Sequence, residues 1–411
     1  MNYKIFPPDD LLQARVKLPL SKSMSNRAIL INALTAGAEP LKDVAHCDDT
    51  DAMLAGIKAT DGTVNVGAAG TAMRFLTAYF ACAEGRSITI DGSNRMRQRP
   101  IGQLVGSLRE CGAEIEYLGE EGYPPLKITG HRLHGGDISI DATVSSQFIS
   151  ALMMIAPTMD NGLTINLEGE IASRPYIEMT ARMMRDAGVD VTFDNNKIIV
   201  KAGIYTPSLQ PIEADWSGAS FWYEIEALTS GFVTLDGLVK DSCQGDSRVA
   251  KIFADLGVDT EWDGEEGGID LLASPELSPR LVTDMSDTPD LVQPLVVTLS
   301  MLGVPFSLIG VKSLQIKETD RLKALSAELL KLGLIINIDT PDTISWEGAR
   351  RPVSEIPEFD TYDDHRMAMS LAPVAIYLPG IVIKDAEVVS KSYPDFWNHL
   401  TEAGFTIEET E

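Results

Sequence analysis

Cysteine, histidine and positive charge are all scarce in this chain of 411 residues. Its four cysteines have no Cys-x-x-Cys spacing and its five histidines have no metal-ligand spacing, which gives no basis for a disulfide framework or a zinc site. Lysine and arginine number 34 against 60 aspartates and glutamates, and the formal net charge of −26 argues against nucleic acid or a membrane surface as a partner. The first residues, MNYKIFPPDD, show no signal-peptide pattern, so we expect a reducing, cytoplasmic location.

Long uninterrupted apolar runs are also absent. The longest apolar tract, residues 295–311, is broken by Ser300, Gly303, Pro305 and Ser307, which predicts a buried helix, a turn and a strand instead of a membrane span. A hydrophobic content of 44% can bury a large core, and the length of the chain favours two domains over one.

What the sequence does have is a recurring pattern of glycines. Twelve of them form six pairs, with the members of a pair within about thirty residues of one another. We interpret each as a helix C-cap, because glycine adopts the left-handed conformation without a Cβ penalty. Alternating β-prone runs follow Gly85, Gly162, Gly188, Gly231 and Gly333. The pattern therefore predicts an α/β chain of six helix–strand–helix–strand copies, three in each domain, the first copy being short. The pairs are Gly37 and Gly62, Gly85 and Gly112, Gly162 and Gly188, Gly231 and Gly257, Gly303 and Gly333, and Gly380 and Gly404.

Polar and basic residues gather at the other ends of these predicted helices. A helix N-terminus presents unsatisfied N–H groups and a positive dipole to an anion. Ten predicted helix starts carry Lys, Arg, Ser or Asp, which favours small anionic ligands for an otherwise acidic protein. The segments are SKSMSNR (21–27), AAGTAMR (68–74), RMRQRP (95–100), SSQF (145–148), SRPY (173–176), DWSGAS (215–220), DTPD (287–290), KETDR (317–321), DDHR (363–366) and KSYPD (391–395).

The N-terminal motifs each have a structural and a functional interpretation. Either Ser21 or Ser23 can cap the helix that SKSMSNR begins. Lys22 is unusual in that place, because a cation opposes the helix dipole unless an anion lies between them. In AAGTAMR only Arg74 favours anion binding. In RMRQRP three arginines precede Pro100, which suits a first helical turn, and their mutual repulsion favours a bound anion over a solvated run.

The later motifs likewise each have a structural and a functional interpretation. We expect Lys317 and Arg321 of KETDR to lie one helical turn apart on the same face, either as an ordinary charged face or as a ligand site. Asp364 can cap the helix that begins with DDHR, next to a hydrogen-bonded His365. Asp290 is either a cap or a general base that accepts a hydroxyl proton.

Taken together, these motifs resemble one family from end to end. SKSMSNR, AGTAMR, RMRQRPIG, VSSQF, SRPY, DSCQGDSR, KETDR, YDDHRMAM and KSYPDF occur in the order and spacing of the 5-enolpyruvylshikimate-3-phosphate synthases. The resemblance implies an inside-out α/β barrel of two domains, each with three βαβαββ repeats. It implies domain boundaries at 21–214 for the N-terminal domain and 1–20 plus 215–411 for the C-terminal domain, with the active site in the cleft between them.

The resemblance also implies a reaction. The enolpyruvyl group of phosphoenolpyruvate is transferred to the 5-hydroxyl of shikimate 3-phosphate, and phosphate is released through a tetrahedral intermediate, in the biosynthesis of chorismate and aromatic amino acids. No metal or organic cofactor is implied, and the expected partners of a monomeric enzyme are these two substrates. The N-terminal domain is expected to bind shikimate 3-phosphate and the C-terminal domain phosphoenolpyruvate.

Matching positions carry the implied roles. Asp290 is the expected base for the hydroxyl, and Lys22 and Glu318 are expected to handle the other protons. The residues expected around shikimate 3-phosphate are Lys22, Ser23, Arg27, Ser145, Ser146, Gln147, Ser173, Tyr176, Asp290 and Lys317. Those expected around phosphoenolpyruvate are Lys22, Gly70, Arg99, Gln147, Arg321, Arg366 and Lys391.

Four positions depart from the family's usual pattern without changing the expected reaction class. They are Leu20, Ala68, Ser313 and Gln315. One alternative is the sister transferase that acts on UDP-N-acetylglucosamine, which typically has a cysteine in the loop corresponding to residues 93–99; here that loop reads SNRMRQR. The other alternative is an inactive anion-binding protein, although all three proposed proton-transfer residues are present.

Overall fold

The computed structural model describes residues 1–207, 210–263, 267–353 and 355–410. It divides into two compact units, one made of Met1–Leu20 with Glu213–Glu411 and the other of Ser21–Ile212. The helices are α1 (Lys22–Leu34), α2 (Asp48–Lys58), α3 (Gly70–Cys82), α4 (Gly102–Glu110), α5 (Ser146–Ile155), α6 (Arg174–Asp186), α7 (Trp216–Thr229), α8 (Val249–Ala254), α9 (Val292–Leu302), α10 (Arg321–Lys331), α11 (His365–Leu371) and α12 (Phe396–Glu402).

Both units have a mixed α/β structure with several sheets. The strands are β1 (Asn2–Phe6), β2 (Gln13–Lys17), β3 (Asp61–Asn65), β4 (Ser87–Asp91), β5 (Glu114–Tyr117), β6 (Leu126–Thr129), β7 (Gly136–Asp141), β8 (Leu163–Glu168), β9 (Val191–Asp194), β10 (Lys197–Val200), β11 (Phe232–Asp236), β12 (Leu256–Asp263), β13 (Gly268–Leu277), β14 (Leu281–Asp284), β15 (Phe306–Ile309), β16 (Thr343–Trp346), β17 (Glu358–Phe359), β18 (Ile381–Ile383) and β19 (Thr406–Thr410).

Five sheets in the described residues share one strand arrangement. Each has a parallel pair at one end, followed by strands that pair antiparallel. The unit Ser21–Ile212 contains β3-β4-β6-β5 and β7-β8-β10-β9, and the other unit contains β2-β11-β13-β12, β14-β15-β16 and β17-β18-β1-β19. A helix precedes the second strand of each parallel pair, and these helices are α3, α5, α7, α9 and α11. Their N-termini carry five of the ten predicted motifs.

The first predicted copy differs from the others. No strand lies between α1 and α2 among the described residues, so the segment after Gly37 does not continue the helix–strand alternation. This segment, AEPLKDVAHC, contains a proline and no alternating apolar pattern, which explains the missing strand. Likewise the run after Gly333 forms only isolated bridges, at Leu334 and Asn337, instead of the predicted strand.

Most of the paired glycines have the predicted left-handed conformation, but not all of them lie at the predicted helix C-termini. Eleven of the twelve paired glycines have a positive φ, and Gly231 is the exception. At that helix end Ser230 takes the left-handed conformation, with φ of 50°. A Cβ on Gly231 would lie 2.5 Å from the Leu12 carbonyl oxygen, so close strand contact, not capping, explains that glycine. Gly62 and Gly257 lie inside β3 and β12 and do not cap helices.

The long apolar tract has the predicted structure. Helix α9 is buried along nearly its whole length, turns at Gly303 with φ of 74°, and is followed by strand β15, in which Phe306 and Leu308 are buried. In the described part of the chain, no helix combines the length and the apolar composition needed to cross a bilayer. The helices that precede the second strands are largely buried on all sides, so their polar N-terminal residues are held by a rigid core.

Candidate active site

The N-terminus of α1 holds the first predicted lysine. The Ser21 side chain accepts a hydrogen bond from the Met24 N–H at 3.4 Å, so Ser21 and not Ser23 is the cap. Lys22 is the first helical residue, and its Nζ lies 3.3 Å from Oδ2 of Asp49 at the start of α2. The anion expected next to Lys22 is therefore provided, in this structure, by a carboxylate of the protein itself.

Arg27 ties α1 to two other helices. Its guanidinium donates to Thr180 Oγ1 at 2.7 Å, to Ser150 Oγ at 3.3 Å and to the carbonyl oxygens of Ser23 and Tyr176 at 2.8 and 3.2 Å. The residue is 2% exposed, and its charge lies above the Tyr176 ring at 5.8 Å. Because a guanidinium has five N–H donors, most of its capacity is already used in holding α1, α5 and α6 together.

The starts of α5 and α6 place four more predicted residues. Ser145 caps α5 by accepting from the Gln147 N–H at 3.3 Å, and Ser146 is buried beside it. The Gln147 amide donates to Thr71 Oγ1 of α3 at 3.1 Å, which orients it. Ser173 begins α6 with φ of 55°, a left-handed conformation that costs about 1–3 kcal/mol in a non-glycine residue. Such strain is found most often at functional sites.

Helix α3 begins against an arginine. A Cβ on Gly70 would lie 2.6 Å from Nη1 of Arg99, so the missing side chain allows the guanidinium to lie against the backbone. Arg74 donates to the carbonyl oxygens of Gly70 and Pro100 at 3.1 and 3.2 Å. It thus fixes the loop that carries Arg99, which is a structural role instead of the predicted anion binding. Helix α4 begins at Gly102, so the placement of Pro100 in its first turn was wrong.

The three arginines of RMRQRP separate into different environments. Residues 96–98 form a single 3₁₀ turn, which points successive side chains in different directions. Arg97 is exposed and donates to Asp91 Oδ1 at 2.9 Å, which holds the pKa of that carboxyl below its usual value. Arg99 is 7% exposed. Arg97 and Arg99 therefore lie in different environments, one in an exposed ion pair and the other buried.

The other unit contains a cluster of acids and bases centred on Arg321. This side chain is 2% exposed and bonds three carboxylates: Asp364 at 2.7 Å, Asp290 at 3.1 Å and Glu318 at 3.1 Å. Burial alone would lower the pKa of Arg321, but Asp364, Glu318 and Asp290 together raise it. The guanidinium is therefore permanently charged.

Two more predicted cations complete the cluster. Arg366 Nη2 lies 3.0 Å from Asp290 Oδ2, and Lys391 Nζ lies 2.6 Å from Glu318 Oε1. Asp364 also caps α11 by accepting from the Arg366 N–H at 3.0 Å, as predicted. Three basic and three acidic side chains thus nearly cancel in charge. Here the cluster is defined as Asp290, Glu318, Arg321, Asp364, Arg366 and Lys391.

Lys317 does not share a helix face with Arg321. Helix α10 begins at Arg321, and Asp320 caps it by accepting from the Lys323 N–H at 3.3 Å. Lys317 follows a 3₁₀ segment, Lys312–Ile316, in an extended conformation. The prediction of one helical turn between the two cations was wrong, because the Asp320 cap places the start of the helix at Arg321, four residues after Lys317.

Asp246 is a buried acid beside the cluster that sequence reasoning missed. It is 3% exposed, and its Oδ2 accepts a short hydrogen bond from the Ser217 hydroxyl. Burial raises the pKa of Asp246 to about 7, and the negative charge of Asp290 adds to this while Arg366 opposes it. Its segment DSCQGDSR is part of the family resemblance, but nothing in the residue types of this segment indicates that the carboxyl group of Asp246 is buried.

Comparisons with known proteins decide the family. The profile described as EPSP synthase (3-phosphoshikimate 1-carboxyvinyltransferase) matches residues 7–64 and 57–400. A protein of Bacteroides fragilis (strain YCH46), named 3-phosphoshikimate 1-carboxyvinyltransferase, is 47% identical over 410 residues and is covered, like this chain, to 99%. The chain belongs to the EPSP synthase family. The resemblance inferred from the motifs is thereby confirmed.

More distant members of the EPSP synthase family agree. A protein of the same name from Shewanella halifaxensis (strain HAW-EB4) is 35% identical over 430 residues, covering 97% of this chain and 99% of the relative. An EPSP synthase structure from Acinetobacter baumannii has a TM-score of 0.77 at 22% identity and covers 99% of this chain and 100% of that chain. The likeness to that structure concerns the fold.

The predicted EPSP synthase residues fall into two groups, one in each unit. The unit Ser21–Ile212 contains Lys22, Ser23, Arg27, Gly70, Arg99, Ser145, Ser146, Gln147, Ser173 and Tyr176. The other unit contains Asp290, Lys317, Glu318, Arg321, Arg366 and Lys391. Within the second group, direct contacts join Asp290, Glu318, Arg321, Arg366 and Lys391 into the cluster.

Proposed function

We propose that the chain transfers the enolpyruvyl group of phosphoenolpyruvate to the 5-hydroxyl of shikimate 3-phosphate, releasing phosphate, as an enzyme of the shikimate pathway. Membership of the EPSP synthase family and the names of its full-length relatives support the reaction. The observation that carries the chemistry is the cluster, in which every predicted cation bonds a proposed proton-transfer acid.

The cluster suggests how binding and chemistry are coupled. Phosphoenolpyruvate brings a carboxylate and a phosphate, which compete with Asp290 and Glu318 for the cations Arg321, Arg366 and Lys391. Both oxygens of Asp290 bond arginines in the structure described here, which makes the carboxylate a weak base. When the substrate anions bind these arginines in place of Asp290, the carboxylate loses its ion pairs and becomes a stronger base than before, next to the reacting hydroxyl.

The proton transfers then balance as follows. The 5-hydroxyl oxygen attacks the second carbon of phosphoenolpyruvate and gives its proton to Asp290, while the methylene carbon gains a proton. Glu318, in its protonated form once the substrate anions displace it from Arg321 and Lys391, is our candidate donor of that second proton, with Lys22 assisting near the phosphate. Loss of a methyl proton and of phosphate from the tetrahedral intermediate restores the double bond.

The shikimate 3-phosphate site is proposed on the starts of α1, α5 and α6. Ser23, Ser145, Ser146, Ser173 and Tyr176 supply hydroxyl groups, and Lys22 supplies charge for the phosphate. Arg27 and Gln147 are already oriented by protein contacts, which fix the position of each side chain before the ligand binds. Lys317 is proposed as a further ligand of shikimate 3-phosphate, and the domain bounds 21–214 and 1–20 plus 215–411 are part of the proposal.

The finer fold is part of the proposal. An inside-out barrel of six βαβαββ repeats, three per domain, is supported by the common strand arrangement of the five sheets. We further propose a monomer in a reducing, cytoplasmic compartment, which agrees with the lack of a disulfide bond among the cysteines in the described part of the chain. Size-exclusion chromatography with light scattering tests the monomer directly.

The deciding experiment compares two acceptors. Purified protein is mixed with phosphoenolpyruvate and either shikimate 3-phosphate or UDP-N-acetylglucosamine, and phosphate release is followed. Release with shikimate 3-phosphate alone is the expected result. Release only with the nucleotide sugar would assign the chain to the sister transferase, and no release from folded protein would favour an inactive anion-binding protein.

A further inference from the structure

Asp49, at the start of α2, has a role that capping and packing do not explain. Its Oδ2 lies 3.3 Å from Lys22 Nζ, and the two side chains are 4% and 14% exposed. We propose that Asp49 is a positioning residue, which holds the Lys22 ammonium group in place and keeps it charged for the transfer reaction. This proposal rests on the function of Lys22 proposed above.

The helix dipole does not require a buried acid at this position. Three aspartates, Asp48, Asp49 and Asp51, lie in the first turn of α2, where any carboxylate stabilises the helix. Asp48 and Asp51 are exposed and Asp49 is buried. The start of α2 is capped independently, because Cys47 and Thr50 form a capping box. The burial of Asp49 therefore needs another explanation.

Asp49, like Asp246 but unlike Asp364, has only one carboxylate oxygen bonded in the described residues. Its second oxygen, Oδ1, is buried and has no hydrogen-bond partner in the described part of the chain. Asp364, in contrast, caps α11 and bonds Arg321 with both oxygens. Buried carboxylates that only stabilise a fold are normally satisfied on both oxygens, because a missing bond costs stability. Asp49 is thus directed to Lys22 at a structural cost.

Two features of the surroundings of Lys22 oppose its positive charge. It is the first residue of α1, where the positive end of the helix dipole opposes a cation, and it is largely removed from water. The Cys47 thiol also lies close enough to interact with Lys22, but burial raises the pKa of that thiol, so it carries no charge at neutral pH. The Asp49 carboxylate supplies the negative charge that favours the ammonium form.

The test uses matched variants of the two aspartates. Asp49→Asn removes the charge while keeping the size, and Asp51→Asn removes an equivalent exposed charge from the same helical turn. Asp49→Glu restores the charge at 49. Phosphate release is measured for each from pH 6 to 10 as kcat/KM for phosphoenolpyruvate, and circular dichroism confirms folding. We expect D49N to lower kcat/KM on the order of 10- to 100-fold, D51N to stay within about twofold of wild type, and D49E to recover part of the loss.

A second measurement is independent of turnover. The lysines are reductively methylated with ¹³C-formaldehyde, and each methyl signal is titrated by NMR; the signal that disappears in Lys22→Arg belongs to Lys22. We expect the titration of Lys22 to move to lower pH in D49N and to stay in place in D51N, and the alkaline limb of the activity profile to move in the same direction.

The two measurements separate the possible failures. An unchanged Lys22 titration in folded D49N overturns the role of Asp49, whatever the activity. Loss of activity in D49N without recovery in D49E or a shifted pH profile would show a purely structural residue and also overturn it. If the wild type releases no phosphate, the proposed function fails, while the NMR titration still decides whether Asp49 keeps Lys22 charged.

Discussion

One methyl group added at Gly70 tests the proposed phosphoenolpyruvate site most directly. In Gly70→Ala the new Cβ would lie 2.6 Å from Nη1, 2.9 Å from Nη2 and 3.0 Å from Cζ of Arg99. Ordinary contacts begin at 3.4 Å, so the guanidinium has to retreat by roughly 0.8 Å. The backbone of Gly70 has no positive φ, so alanine fits the helix and the strain falls on the arginine.

The size of the effect follows from that displacement. A misplacement of about 1 Å in a binding group costs on the order of 10²-fold in rate. We therefore expect G70A to lower kcat/KM for phosphoenolpyruvate about 30- to 100-fold, chiefly through KM, since Arg99 is proposed to bind the substrate without transferring a proton. Steady-state phosphate release at varied phosphoenolpyruvate and saturating shikimate 3-phosphate gives both constants.

Gly106→Ala is the matched control for this change. Gly106 lies inside α4, and a Cβ there meets nothing within 4 Å. Alanine at this position is expected to stabilise the helix by about 0.5–1 kcal/mol and to leave kcat/KM unchanged. A G70A enzyme with normal kcat/KM, or a G106A enzyme with an equal loss, would refute the proposed contact between the substrate and Arg99.

Three further changes test other parts of the structure. Asp290→Asn removes the proposed base, and we expect kcat to fall roughly 10²- to 10⁴-fold in the phosphate-release assay while calorimetry shows binding largely kept; near-normal turnover would remove Asp290 from this role. Thr180→Val leaves Arg27 Nε without its 2.7 Å acceptor, and urea unfolding is expected to show a loss of about 1–3 kcal/mol, whereas an unchanged midpoint would contradict this view of Arg27. The pKa of buried Glu226 is raised to about 7 by burial, so the folded state keeps a proton that the unfolded state releases. The free energy of unfolding of the wild type should therefore fall as pH rises from about 4 to about 7 and then level off. Urea titrations at several pH values should show a smaller fall for Glu226→Gln. An equal fall in the two proteins would refute the protonation assigned to Glu226.

Local rules explain why the helix starts were predictable. Ser21, Ser145, Asp215 and Asp364 cap helices at the positions that the motifs indicated, because a cap depends on a few neighbouring residues. The same rules could not distinguish an arginine that binds a ligand from one that holds the fold. Arg74 bonds a carbonyl oxygen 26 residues away, and nothing in AAGTAMR indicates that contact.

Burial was the second quantity that the sequence did not reveal. Asp49 and Asp51 look equivalent in the string DDTD, and Asp246 looks like an ordinary loop residue in DSCQGDSR. Their differences come from packing between segments that are far apart in sequence. Strand pairing was unpredictable for the same reason. The strands after Gly162 and Gly188 could be predicted from the alternation of apolar and polar residues. The parallel pairing of β2 with β11 could not, because it joins residues that lie before and after the whole unit Ser21–Ile212 in the sequence.

Because the unit Ser21–Ile212 interrupts the other unit in sequence, the strands of that other unit are synthesised far apart in time. Strand β2 leaves the ribosome early, but its partner β11 begins only at Phe232, and β1 pairs with β18 and β19 near the end of the chain. At about 5–20 residues per second, β1 waits roughly 20 to 80 seconds for β19. The unit Ser21–Ile212 is complete in sequence well before then. Strands β1 and β2 are therefore made well before their partners, so their edges stay unpaired, and open to pairing with other chains, until those later strands have been synthesised.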